Sequence, residues 1–414
     1  MTVEELCKSI IDCPHSTPIW KDSGIRVIRN FNIKKGQLDF SDGYFVDEET
    51  YLERTKRALP ETDDIVISRE APMGEVCIIP KDLKCCLGQR LVLLKINKEI
   101  CFPKYLLYMM QSKYVQEQIG IINKTGSIVS NLNIPDLKAL KIPYRPLESQ
   151  QKIASVLSVL DDKIALNRRM NAKLEQMAKR LYDHWFVQFD FPVSCHSEFV
   201  SESHSEEMLN QVQHDECTKP YKASGGKMEY NEALKREIPT GWEVKKLSEI
   251  ALVKRGTTIT EKDTRKGNVK VVAGGLDFSY YHNQSNRKAN CITVSGSGEN
   301  AGFVNFWREP IFASDCSTVQ CENDIDTMLC YFALKMQEKR FYRISHKSAQ
   351  PHIYPKDVAE IPIVVPNEAV KSKISDFFLK SNGKIALIEK ETQKLTAIRA
   401  RLLPLLMNGQ VEVR

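Results

Sequence analysis

The residues of this chain that could do chemistry are few, and their spacing excludes most of the reactions they suggest. The stretch Ser295-Gly296-Ser297-Gly298-Glu299-Asn300-Ala301-Gly302 has the composition of a phosphate cradle. Its third glycine is misplaced for a dinucleotide-binding turn, so a loop between strands is expected there. Pro135-Asp136 could open the carboxylate motif of a nuclease, but no acidic-x-Lys partner follows at a usable distance. The start of a strand is its expected role, because Asp357 holds the equivalent place in an internal repeat. Cys195, His196, His204, His214 and Cys217 are metal-ligand types at spacings that fit no standard zinc site. There is no G-x-x-x-x-G-K-[ST] loop, H-E-x-x-H helix or G-x-S-x-G elbow, and no Asn-Pro-Pro-aromatic tetrapeptide to grip a flipped base. The chain is expected to hold no catalytic residue, no cofactor and no metal, and not to be an enzyme.

What remains suits binding. Lys124, Thr125 and Ser127 combine charge and hydroxyls around the flexible Gly126. A corresponding stretch late in the chain holds Arg343, His346, Lys347 and Gln350. Lys254, Arg255 and Thr257 cluster near Arg265 and Lys266, while Arg69, Gln89 and Arg90 flank apolar runs in the first half. Lysine and arginine suit phosphates, and Arg, Gln and Ser can read base edges, so these residues are the candidate DNA contacts. A net charge of +6 permits an acidic partner without requiring one.

The elements that must position these residues come from a duplication. Lys163-Ile164-Ala165-Leu166 recurs as Lys384-Ile385-Ala386-Leu387, an offset of 221. The same offset aligns Asp136 with Asp357, Ile142 with Ile363, Ile153 with Ile374, and Leu181 with Leu402. Tyr105 and Met110-Gln111 match Tyr331 and Met336-Gln337 at 226, the small difference that loop-length change leaves. In each half, short apolar runs predict buried strands: 64–67, 75–79 and 91–94 first, then 269–272, 291–294 and 302–304. An amphipathic helix follows, over 103–119 and 326–344, then a short strand, 139–143 and 358–364. Long helices start near Pro146 and Asn367, both suited to a first turn.

The long helices carry a heptad pattern. Ile153, Leu157, Leu160, Ile164, Asn167, Asn171, Leu174, Ala178, Leu181 and Trp185 mark one seam. Ile374, Phe378, Ser381, Ile385, Ile388, Thr392, Leu395, Arg399, Leu402 and Leu406 mark the other. Such a repeat predicts a coiled coil, antiparallel between the two helices, with its polar positions setting register. A helix of roughly 40 residues spans about 60 Å. Pro404 is expected to kink or end the second helix.

Two domains suit a chain of 414 residues, and 42% hydrophobic with 27% charged residues describes a globular protein. No apolar run long enough for a membrane span occurs, and the N-terminus lacks signal-peptide character, so a cytoplasmic protein with no membrane partner is expected. Its cysteines are irregularly spaced and are expected to be reduced thiols. The polar stretch 193–237 reads as a flexible linker or insertion.

The sequence resembles the specificity subunits of type I restriction–modification enzymes. The likeness is strongest in Leu140-Lys141-Ile142-Pro143, Pro146-Leu147-Glu148-Ser149-Gln150-Gln151-Lys152-Ile153-Ala154, Leu160-Asp161-Asp162-Lys163-Ile164 and Arg180-Leu181-Tyr182-Asp183-His184-Trp185-Phe186. Gly241-Trp242-Glu243-Val244-Lys245-Lys246-Leu247 is similar to the usual opening of the second recognition domain. The first lobe lacks that Gly-Trp-Glu opening, and the stretch after Pro192 is unusually long.

The resemblance implies an α/β chain with a pseudo-twofold internal repeat. Its two globular target recognition domains would be separated by two long helices forming an antiparallel coiled coil. The boundaries that follow are 1–145 for the first recognition domain, 146–192 for the central helix, 193–237 for the linker, 238–365 for the second recognition domain and 366–414 for the distal helix. It implies double-stranded DNA with a bipartite site as ligand, and two methyltransferase subunits and the restriction (translocase/nuclease) subunits as partners. The alternative function is a coiled-coil structural adaptor whose lobes bind protein partners.

Overall fold

The computed structural model describes residues 1–125, 131–194, 218–345 and 351–413. Ser127, His346, Lys347, Gln350 and the five Cys and His residues from Cys195 to Cys217 lie outside the described residues. The chain divides into two compact units, Met1–Leu166 with Glu391–Arg414, and Asn167–Lys390.

In the first unit, β1 (Cys7–Asp12), β2 (Ile65–Ser68), β3 (Val76–Ile78) and β4 (Leu91–Ile96) form an antiparallel sheet in the order β1-β4-β2-β3. Central β4 is buried on both faces, which is why it reads as a continuous apolar run. Val92, Leu94 and Ile96 face one core with the helices, and Leu91 and Leu93 face another with Cys77, Ile79 and Cys85. A second small sheet orders Phe45–Val46, Ile25–Ile28 and Cys85–Leu87, the last two parallel.

The helix expected at 103–119 is two helices, α1 (Pro103–Gln111) and α2 (Lys113–Thr125). Ser112 takes an extended backbone, and its hydroxyl donates to the Met109 carbonyl at 2.6 Å. The strand expected at 139–143 is reduced to a single bridge between Thr2 and Lys141. Pro135-Asp136 instead starts a short helix, Ile134–Ala139, whose Asp136 amide is capped by Asn133. Proline in a first turn gives up no intrahelical hydrogen bond, so the helix competes well with the strand here. Next comes the long α3 (Leu147–Tyr182).

The second unit repeats this plan. β5 (Leu252–Arg255), β6 (Cys291–Ser295), β7 (Val304–Trp307) and β8 (Cys316–Gln320) are ordered β5-β8-β6-β7, again all antiparallel. Its small sheet again pairs one strand antiparallel and one parallel, Tyr280–His282 and Phe312–Ala313 about Val269–Val272. The helix expected at 326–344 breaks at Gln337 into α4 (Asp324–Met336) and α5 (Glu338–Ser345). Gln337 is the repeat equivalent of Gln111, which precedes Ser112, so the two halves break within one residue of each other. The strand Pro362–Val365 forms here, paired with Glu243–Lys246. The long α6 (Glu368–Met407) is capped by Asn367, which accepts from the Val370 amide at 3.0 Å. It runs three residues past Pro404 rather than stopping there. A proline so near the C-terminal end disturbs only the last turn.

Part of the expected linker is structured. Pro192–Ser194 pairs antiparallel with Thr218–Pro220, and Met228–Asn231 pairs with Arg236–Pro239. Phe191 stacks on both Tyr221 and Trp242, with centroids 4.6 and 5.2 Å apart. The polar composition around Tyr221 concealed its role as an aromatic anchor.

Within each unit a segment of α3 packs against a segment of α6, antiparallel in both. In the first unit Ile153, Ala154 and Leu157 share a core with Leu402, Leu406 and Met407. Arg399 Nε lies 2.5 Å from Asp161 Oδ1, and its Nη2 donates to Gln111 Oε1 at 3.0 Å. Tyr108 donates to the other Asp161 oxygen at 2.9 Å. In the second unit Ala178 and Tyr182 share a core with Ile374 and Phe378. There Arg308, just after β7, donates from Nε to Asn382 at 2.8 Å, from Nη1 to Glu389 at 3.0 Å and from Nη2 to Glu175 at 3.0 Å.

Candidate nucleic-acid interface

The exposed basic residues of the second unit are placed by a tightly held loop. β5 is an edge strand, and Lys254 and Arg255 at its end are exposed. Gly256 follows because the chain passes so close to a neighbour that a Cβ would lie 1.9 Å from the Ser314 carbonyl. The Thr257 amide then donates to Ala313 at 2.9 Å and the Ile259 amide to Ser314 Oγ at 3.2 Å. Further along, the Arg265 amide donates to His282 Nδ1 at 3.1 Å. The backbone from Gly256 to Arg265 is therefore fixed, while the side chains of Thr257, Arg265 and Lys266 are exposed. Arg255 keeps 64% of its side chain exposed, with Asp315 3.9 Å away.

The glycine-rich stretch is the expected loop between strands, running from β6 to β7. Ser297 donates to the Asp315 carboxylate. The Gly298 amide donates to Pro351 and the Ile353 amide to Gly296, which anchors the chain at 351–353 against this loop. Arg343, on α5, lines a cavity of about 540 Å³ with Tyr342, Lys339, Phe303, Ala301 and Leu276. Its floor is apolar, and its rim balances Lys339 and Arg343 against Glu299 and Glu338.

The first unit treats its candidates differently. Arg69 is only 12% exposed and donates to both Asp12 oxygens, at 3.0 and 2.9 Å, and to the Leu132 carbonyl at 3.0 Å. A guanidinium so engaged joins the end of β2 to β1 and has little left for a phosphate. Gln89 donates to the His15 carbonyl and to Thr17 Oγ1. Arg90 lies 3.2 Å from Glu70 and is about half exposed. Lys124 and Thr125 end α2.

The sequence reading passed over a cluster between residues 20 and 45. The Arg29 guanidinium lies 4.4, 4.5 and 5.3 Å from the Tyr44, Phe31 and Trp20 rings. Arg26 lies 4.4 and 5.1 Å from Phe40 and Phe45. The signal was the interleaving of Arg with aromatics, a composition that also serves stacking on bases.

Among the described residues no group of His, Cys, Asp and Glu could hold a metal ion, and no helix is long and apolar enough to cross a membrane.

A family model described as the type I restriction modification DNA specificity domain matches residues 12–176 and again residues 239–397. The chain is 27% identical to the MjaIX specificity subunit of a type I restriction enzyme from Methanocaldococcus jannaschii, over 89% of this chain and 82% of that one. It is 22% identical to the HindI specificity subunit from Haemophilus influenzae, over 86% and 88% respectively. The crystal structure of the S subunit of a type I restriction–modification system from M. genitalium superposes with a TM-score of 0.57 at 18% identity, covering 98% of this chain and 95% of that one. At that identity the likeness is one of fold.

Proposed function

Because the chain belongs to the type I restriction modification DNA specificity family, whose domain it carries twice, we propose that it is the sequence-recognition subunit of such a complex. It reads a bipartite DNA site, one lobe per half-site, and leaves the chemistry to other subunits. The observation that carries this is the repeat: both units build the same sheet order but dress it with different loops. A shared scaffold with different loop side chains gives two readers, and the half-sites differ in sequence.

In the second lobe, Lys254, Arg255, Thr257, Arg265, Lys266, Arg343, His346, Lys347 and Gln350 make the contacts to phosphates and base edges. In the first, Gln89, Arg90, Lys124, Thr125 and Ser127 do so, and Arg69 serves as a positioning residue through Asp12. Two methyltransferase subunits dock on the long helices, and restriction subunits join to cut, in the cytoplasm. Two copies suit the repeat because Leu166 and Leu387, at equivalent positions, are both exposed, as are Met177 and Ile398.

The test is to express the chain with its cognate methyltransferase subunit, count the subunits by native mass spectrometry and map methylated adenines. A split motif made by a complex with two methyltransferase copies is expected. A contiguous motif, or no methylation by an assembled complex, overturns the reading.

A further inference from the structure

Cys321 directly follows β8, and Cys330 sits on α4. Their sulfurs are 3.7 Å apart, in van der Waals contact. A disulfide needs about 2.05 Å between sulfurs, so closure requires only a small approach of two side chains already touching. Access is asymmetric: Cys321 is half-buried and Cys330 is buried. We propose that this pair is a redox modification site, closed to a disulfide by a peroxide and reopened by a small dithiol. The inference is independent of the DNA-recognition reading.

The surroundings prepare Cys321 for the first step. A hydrogen bond from Cys330 draws its thiol below the ordinary value, and burial opposes this. The Thr327 hydroxyl and the Lys371 ammonium assist, while Asp326 works against them. Lys371 is held beside the site by Asp326 at 3.2 Å and Glu368 at 2.8 Å. Burial pushes Cys7, Cys85, Cys101, Cys291 and Cys316 up to about 12 and Cys86 to about 11, which leaves them inert.

The Cys321 thiolate attacks one peroxide oxygen, giving a sulfenic acid and releasing hydroxide. Cys330 then attacks the Cys321 sulfur and its proton leaves with the sulfenic oxygen as water. Overall, two thiols and one hydrogen peroxide give one disulfide and two waters. The new bond ties the end of the sheet to α4, whose Phe332 packs on Tyr182 with centroids 5.3 Å apart.

Hydrogen peroxide, alkylation and trypsin applied to the full chain test this, because the peptide 309–335 holds Cys316, Cys321 and Cys330. The expected product lacks two hydrogens and carries one alkylated thiol, Cys316. It regains three alkylation sites after dithiothreitol. In Cys330→Ser the disulfide is absent and dimedone labels Cys321; in Cys321→Ser neither occurs. Three free thiols at a peroxide dose that fully oxidises free cysteine overturn the proposal. So does a disulfide that joins Cys321 to Cys195 or Cys217.

Discussion

Each unit clamps a segment of α3 to a segment of α6 around an arginine, yet the two arginines come from different parts of the fold. In the first unit the cation, Arg399, stands on α6 and faces Asp161 on α3, while the lobe adds Tyr108 and Gln111. In the second, Arg308 belongs to the lobe and reaches carboxylates on both helices. The offset of 221 maps Asp161 onto Asn382 and Arg399 onto Ala178. Both Asn382 and Ala178 line the space around Arg308. Where the helix carries alanine in place of a guanidinium, the lobe supplies one. A polar point in an apolar seam fixes register, and the two halves draw that point from different residues.

The largest effect is expected from Arg308→Ala. Only 9% of this side chain is exposed, and it also packs over Phe306. Its loss leaves Asn382 and two carboxylates without their donor. Because the carboxylates partly reach solvent, the cost is about 3 kcal/mol, the lower end for breaking a buried pair. Guanidinium denaturation measures it, and a loss below about 1 kcal/mol would show the clamp to be incidental.

Arg399→Gln is expected to cost less, about 2 kcal/mol, because Asp161 keeps the Tyr108 hydroxyl. A double-mutant cycle with Asp161→Asn should give a coupling of about 1 kcal/mol or more. Coupling near zero would mean that the two clamps are not counterparts.

The smallest effect is a pH dependence. Burial raises the Glu389 carboxyl above the ordinary value of 4.5, although Arg308 pulls it down in part. The unfolded chain therefore ionises first, and stability falls as pH climbs from 4.5 through the folded value. Glu389→Gln removes that slope, so the variant should gain on the wild type between pH 4 and pH 7 in parallel denaturation curves. A constant difference would place Glu389 in a solvent-like setting, and the two clamps would then differ in little but the origin of the arginine.

The duplication was legible because repeats and heptads are periodic, and periodicity survives in sequence. The strands at 65–68, 91–96 and 291–295 were legible as short apolar runs, whereas the run expected at 302–304 only touches the start of the strand Val304–Trp307. The breaks at Ser112 and Gln337 were not, because amphipathic spacing continues across both. Arg69 misled because its partner, Asp12, lies 57 residues away and meets it only once β1 and β2 flank β4. Arg308 was invisible as a clamp because its three partners come from both long helices. The exposure of Lys254, Arg255, Thr257, Arg265 and Lys266 was legible because such residues beside an edge strand are seldom drawn into a core.

The short pairing of Pro192–Ser194 with Thr218–Pro220 brings Ser194 and Thr218 side by side. A chain that leaves and returns at one point can change length at little entropic cost, since closure depends only logarithmically on loop size. That hairpin neck is a natural socket for engineering: a tag, reporter or foreign domain could replace the intervening residues without moving the strands that frame it.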